Sequence, residues 1–234
     1  MRFVQLCMNA EGLRVHRGLL RWQRQYMRTT HPLILESIMP SKPKIAVIIG
    51  STRATRFADK PAQWMLKQAQ ARDDMTAELI DLRDFNLPMF NEIASNAWVP
   101  SQDPAAIAWQ NKLAQYDGYI FVVAEYNRSV TGALKNAMDQ ASKEWARKPM
   151  GAIAYGSMGA SSALQHLRII GVELQMVPVR NAVHIGGADM FAIHPMGGNK
   201  DGTMEQIEGN LLPAAKGLLD DMVWWAKAAM AAKG

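Results

Sequence analysis

The residues best suited to chemistry stand in three short polar runs, each following an apolar one. The first is Gly50-Ser-Thr-Arg-Ala-Thr-Arg56, directly after the run Lys44 to Ile49. Gly50 permits a tight turn, Ser51 and Thr52 carry hydroxyls, and Arg53 and Arg56 carry permanent charge. A helix begins soon after, and its first amides point outward unpaired with a partial positive charge behind them, so the junction is a natural anion site. A charge-assisted hydrogen bond to phosphate contributes roughly 1.5–3 kcal/mol, enough for such a loop to hold a phosphate without a metal. Ordinary turn chemistry beside solvated arginines accounts for the same residues, and this run alone does not choose. Neither GxxxxGK[ST] nor GxGxxG is present, which excludes a Walker loop and the usual dinucleotide fingerprint. A small phosphorylated cofactor fits better than a triphosphate whose charge calls for lysine and Mg²⁺.

The second run, Ala124-Glu-Tyr-Asn-Arg-Ser-Val-Thr-Gly132, leaves an apolar strand as a polar loop with an aromatic ring in it. Tyr126 offers a stacking face, Asn127 and the backbone offer pairing groups, and Ser129 or Thr131 is placed to cap a helix. Capping alone, with Tyr126 a surface ring, is the competing account. The third run, Gly156-Ser-Met-Gly-Ala-Ser161, repeats the small-residue arrangement of the first. Three such loops on one edge describe a site for a flat, phosphorylated molecule, and flavin mononucleotide (FMN) meets that description.

The elements that must position these loops alternate along the chain. Strands are expected at 44–49, 76–82, 119–124, 150–155 and 175–183, and helices at 60–72, 104–113, 130–142, from 161 to 171 and at 205–232. Asp59 is placed to cap the first helix and Pro61 suits its first turn. Loops are expected at 83–103 and 184–204. The run 119–124 is apolar throughout, the mark of a strand buried on both faces. Five strands alternating with helices predict a doubly wound α/β fold with a five-stranded parallel sheet. Ligands of such sheets sit beyond the carboxyl ends of the strands, the edge formed here by the three loops.

With 234 residues, 49% of them hydrophobic, the chain can bury a sizeable core. The single cysteine, Cys7, excludes an intramolecular disulfide and suits a reducing cytoplasm, and the five histidines show no short metal-ligand spacing. No metal site is expected. The formal charge of +5 is mostly local: residues 1–38 hold six arginines against Glu11 and Glu36, a net of +4. No apolar run is long enough for a secretory core or a membrane span. Residues 1–38 read as a basic extension, a poorly ordered tail or the product of an early start codon, with residues 39–234 as the FMN-binding domain. The arginines around Trp22 and Tyr26 leave open a nucleic-acid or partner-binding arm on an inert core.

The motifs GSTRxxR after the first strand, EYNRSxxGxLKNAMD after the third, and YGSxGAxxAxxxLR followed by VPVRNAVHI resemble the NAD(P)H-dependent FMN reductase family of flavodoxin-like proteins. The resemblance covers residues 42 to about 186, in order. It implies strand order 2-1-3-4-5, FMN at the carboxyl edge, and NADPH or NADH as hydride source. By position, Ser51, Thr52, Arg53 and Arg56 would hold the phosphate. Glu125, Tyr126, Asn127 and Ser129 would line the ribityl chain and ring, and Gly156, Ser157 and Gly159 would border its far side. The family commonly has proline where this chain has Ala124 and Thr131, so the second loop is expected to be looser here. The cofactor carries the redox chemistry, so no catalytic acid, base or nucleophile is assigned; backbone amides of the second and third loops would stabilise charge near flavin N1. The resemblance further implies a small-molecule acceptor (free FMN, a quinone, an azo compound or a metal oxyanion) and a homodimer or homotetramer. Neither nucleic acid nor a membrane is an expected partner. His184, the loop after it and Trp98 are candidate walls for a second nucleotide. A flavodoxin-like one-electron carrier shares the fold, although such carriers are usually strongly acidic.

Overall fold

Strands β1 (Lys44–Ile49), β3 (Gly118–Ala124) and β4 (Pro149–Tyr155) form the centre of a parallel sheet, and apart from Lys44 every residue in them is buried. The computed structural model describes residues 41–199 and 201–233; the expectations on residues 1–38 lie outside the described residues. The remaining elements, in order, are α1 (Asp59–Gln70), β2 (Thr76–Asp81), α2 (Pro104–Leu113), α3 (Gly132–Asp139), α4 (Ser161–Glu173), β5 (Val177–Pro178), β6 (Val183–Ile185), α5 (Gly187–Ile193) and α6 (Glu208–Ala232).

The two-residue period of the strands divides the core into two layers. Ile45, Val47 and Ile49 face α1 and α6 with Val122 and Ile153, whereas Ala46 and Ile48 face α2, α3 and α4 with Phe121, Val123 and Ala152. The strand order is β2-β1-β3-β4-β5, as the family resemblance implies, with β6 also on β4. Register then brings the strand ends together: Ile49 lies between Asp81 and Val122, and Tyr155 lies between Ala124 and Ile185. The three loops of the candidate site leave the sheet at that edge.

Several expected elements are corrected. The fifth strand, read as continuous from 175 to 183, is two pieces on the same side of β4. Pro178 has no N–H to extend the ladder, and Asn181 is drawn off toward α6, where Asp221 accepts from its side chain at 2.8 Å and its backbone at 3.3 Å. The 184–204 loop contains α5 and a 3-10 turn at Pro195–Gly197. Asp59 does not cap α1: it lies inside the first turn and accepts from Arg56. α3 is shorter than expected, starting after Thr131, whose hydroxyl accepts from Leu134 N at 3.1 Å. On α6 the inward stripe is Leu211, Ala215, Leu218, Leu219, Met222 and Ala226, while Leu212 and Trp225 are exposed. Trp145 is fully buried, edge-on to Tyr119 at 4.7 Å with its indole N–H donating to Met138 O at 3.1 Å.

One charge lies within the second layer. Lys148 is buried, and its Nζ donates to Tyr119 Oη at 2.9 Å and Leu113 O at 3.3 Å. Burial lowers its pKa to about 8. An unfolded lysine titrates near 10.4, so between these values the unfolded chain holds the extra proton and stability rises with pH. The stability of wild type relative to Lys148→Met is therefore expected to climb by about 2–3 kcal/mol from pH 7 to pH 10.5. Urea unfolding of both proteins at these two pH values measures the difference.

Candidate functional site

The first loop is built around Arg56, whose side chain is only 2% exposed. Its five N–H groups are all engaged. Nε donates to Asp59 at 3.0 Å, Nη1 to Ser51 O at 2.9 Å and Asp81 Oδ1 at 2.7 Å, and Nη2 to Asp59 Oδ1 and to Asp81 Oδ2 at 2.6 Å. Arg83 joins the cluster through Asp81 at 2.9 Å. Burial opposes the guanidinium charge, but the bonds to Asp81 and Asp59 outweigh it and raise the pKa. Asp81, also disfavoured by burial, is held well below the carboxylate range by Arg56 and Arg83. Every donor of Arg56 is thus committed to a protein acceptor and its charge is balanced, which ties the loop to α1 and to the end of β2.

Arg53 remains. It is exposed, makes a long contact with Thr55 O at 3.4 Å, and lies 5.9 Å from the centre of the Tyr126 ring. Among the described residues the amides of Ser51 to Thr55 have no backbone acceptor. Gly50 is required at the turn: a Cβ there would stand 2.9 Å from Val122 O. The loop thus leaves these amides unpaired, and Arg53, which makes no salt bridge among the described residues, lines the cavity with Ser51 and Thr55.

In the second loop Tyr126 and Ser129 exchange two backbone hydrogen bonds of 2.9 Å around Asn127 and Arg128, both with positive φ (49° and 69°). This is a type I′ turn, which Asn tolerates and Arg adopts at a cost of about 1 kcal/mol. Thr131 donates its hydroxyl to Gly50 O while capping α3, so the second loop is stapled to the first. The looseness expected from the absent proline is offset by that bond. Glu125 reaches across to accept from Ala163 N at 3.0 Å, supplying the cap that Ala160 cannot provide for α4. Ser129 Oγ lies 3.1 Å from His166 Nδ1.

The third loop turns at Gly159 (φ 72°) and Ala160 (φ 54°). Gly186 supports it from beneath: a Cβ there would stand 2.3 Å from Gly159 N, so only glycine lets these backbones meet. His184 Nδ1 donates to Gly159 O at 2.6 Å, which makes this residue a prop of the loop.

These loops enclose a cavity of about 660 Å³. Of the predicted site residues, Ser51, Arg53, Arg56, Glu125, Tyr126, Gly156 and Ser157 line it, whereas Thr52, Asn127, Ser129 and Gly159 do not. Trp98, a candidate wall, is 85% exposed and lines none of it, but the loop after His184 does contribute, through Met190, His194, Pro195 and Met196. Sequence reasoning missed Thr55, Phe57, Asp59, Lys60 and Tyr155. Tyr155 is the last residue of a buried strand and Phe57 follows the arginine loop, so position at the carboxyl edge was the available signal. Phe57 packs edge-on to Tyr155 at 5.1 Å and against His194 at 4.9 Å. Among the described residues no group of three or more His, Cys, Asp or Glu is arranged to hold a metal, and no helix is long and apolar enough to cross a membrane.

A parallel sheet of order 2-1-3-4-5 with unpaired loop amides and a cavity on its carboxyl edge is a flavodoxin-like, cofactor-binding domain. The profile of the NADPH-dependent FMN reductase family matches residues 43–189, and the chain belongs to that family. It is 33% identical over 159 residues to an NAD(P)H-dependent FMN reductase of a Nectria species, covering 64% of this chain and 79% of the relative. It is likewise 33% identical over 142 residues to a 2-hydroxy-1,4-benzoquinone reductase of a Burkholderia species, covering 57% of this chain and 73% of the relative. The fold is shared with FerB, an NAD(P)H:(acceptor) oxidoreductase of Paracoccus denitrificans, at TM-score 0.60 and 23% identity over 80% of this chain and 98% of that one. The protein is therefore an NAD(P)H-dependent flavin oxidoreductase with FMN as its cofactor.

The carboxylate cluster gives a pH-signed prediction. Asp81→Asn removes one partner of a largely buried pair and is expected to cost about 2–3 kcal/mol at pH 7. Because the folded-state pKa of Asp81 is depressed, its contribution is present above the unfolded value and is lost as pH falls toward the folded one. The gap between variant and wild type, read by denaturant unfolding, should narrow as pH drops below about 4.

Proposed function

We propose that the cavity holds FMN with its phosphate against the amides of Ser51 to Thr55 and the guanidinium of Arg53. The carrying observation is that these amides lack backbone acceptors while Arg53, beside them, makes no salt bridge among the described residues. Ser51, which lines the cavity, contributes its hydroxyl to this end, and Thr52 contributes through its backbone in the turn. Glu125, Tyr126, Gly156 and Ser157 form the floor and side along the ribityl chain and ring. Asn127, Ser129 and Gly159 act one step back, shaping the type I′ turn and the left-handed turn that present those residues. Arg56 keeps the phosphate loop in register without touching the phosphate.

FMN held by these residues would supply the redox chemistry, hydride acceptance from NAD(P)H and two-electron reduction of an acceptor. What the chain adds is binding, orientation and exclusion of water. Tyr126, 37% exposed at the rim, is placed to cover a planar ring. Phe57, Tyr155, Met190, Pro195 and Met196 give the cavity an apolar wall. That wall favours a flat organic acceptor such as a quinone over a metal oxyanion, and the similarity to a benzoquinone reductase supports the same choice. Self-association as a homodimer or homotetramer, and a cytoplasmic location, belong to this reading. The exposed Trp224 and Trp225 on α6 suit such self-association.

Arg53→Ala should weaken FMN binding by about tenfold or more, the loss of one charge-assisted hydrogen bond, with the far-ultraviolet spectrum unchanged. Fluorescence titration with FMN measures it. Unchanged affinity would place the phosphate elsewhere.

A further inference from the structure

The outer wall of the cavity begins where the family match ends. The profile stops at residue 189, and Met190, His194, Pro195 and Met196 follow. This wall is held in place from several sides. Lys60 Nζ donates to Ile193 O at 3.1 Å and to Gly202 O, gathering the two ends of the turn, and Asn199 donates to Ala192 O at 2.8 Å. His194 lies against Phe57, the residue that directly follows the phosphate loop.

The imidazole is oriented by its backbone partner. Met196 N–H donates to His194 Nδ1 at 3.1 Å, so Nδ1 is an acceptor and the ring's proton sits on Nε2. A protonated ring would turn Nδ1 into a second donor facing that amide. Burial lowers the pKa further, and the charges of Arg53 and Lys60 act in the same direction. Arg53 belongs to the phosphate loop and Lys60 to α1, and Lys60 Nζ stands 6.0 Å from the centre of the Phe57 ring against which His194 packs, so this end of the cavity, which Asp59 also lines, carries two cations. The result is a neutral N–H donor, rigidly held, on the wall of that end, with no use in the packing of the turn.

We propose that His194 Nε2–H is a second jaw on the phosphate held by the Gly50–Arg56 loop, a clamp contributed from outside the span of the family match. The inference rests on the FMN reading above. A phosphate there is gripped by amides and Arg53 from one element and by the imidazole from another. The wall formed by Met190, His194, Pro195 and Met196 thereby becomes part of cofactor binding.

Riboflavin, which lacks the phosphate, separates this role from packing. His194→Phe keeps an aromatic ring against Phe57 and removes the donor, while His194→Gln keeps a terminal N–H. Fluorescence titration of wild type and both variants with FMN and with riboflavin is expected to show about tenfold weaker FMN binding in His194→Phe. Riboflavin binding should stay within about twofold, and His194→Gln should recover most of the loss. Equal weakening of both flavins, or no change with FMN, would overturn the clamp. Arg53→Ala in the same titration keeps the two readings apart. If it lowers the preference for FMN over riboflavin and His194→Phe does not, only the clamp fails. If neither does, the placement of the phosphate fails with it.

Discussion

The geometry of the site depends on one buried ion cluster. Arg56, enclosed between Asp59 and Asp81 and bonded to the carbonyl of Ser51, joins the start of α1, the end of β2 and the turn after β1. Charge burial of this kind is costly unless every donor and acceptor is matched, and here every guanidinium N–H is. The consequence for function is indirect. By occupying the loop's own carbonyl and pairing with the carboxylates, Arg56 offsets the charge of Asp59, which lines the cavity, and leaves the loop amides unpaired. A phosphate loop needs positive potential, but it first needs a fixed backbone, and in the function proposed above the two tasks fall to different arginines.

The other loops are fixed by the same economy of cross-links. Thr131 joins the second loop to the first through Gly50 O, and Glu125 joins the second to the third through α4. His184 and Gly186 support the third from β6 and its exit. Each loop is therefore held by a residue from its neighbour, and the cavity they enclose is rigid on the side covered by the family match. The opposite wall, from Met190 onward, lies beyond the span of the family match and is anchored mainly by Lys60.

Strand composition made the fold legible. Unbroken apolar runs such as Tyr119 to Ala124 admit only a doubly covered parallel sheet, and the alternation with helices then leaves few topologies. The three loops were legible for the same reason, because polar, glycine-bearing segments directly after buried strands have to lie at the carboxyl edge. What was not legible depended on partners distant in sequence. Nothing in GSTRATR says which arginine is exposed, because the choice is made by Asp81, twenty-five positions later. The division of the fifth strand depends on Asn181 meeting Asp221 on α6. The wall at 190–196 lay inside a glycine-rich stretch whose helix α5 is only seven residues long, too short for a periodic signal.

Binding of FMN in this cavity, where NAD(P)H can reduce it, is open to a single anaerobic experiment. The purified protein is mixed with FMN, freed of excess, and given one equivalent of NADPH while the visible spectrum is followed. Retained flavin absorbance that bleaches on NADPH and returns on adding a benzoquinone is the predicted result. A protein that retains no flavin, or whose bound flavin is untouched by NADPH and NADH alike, would contradict the account.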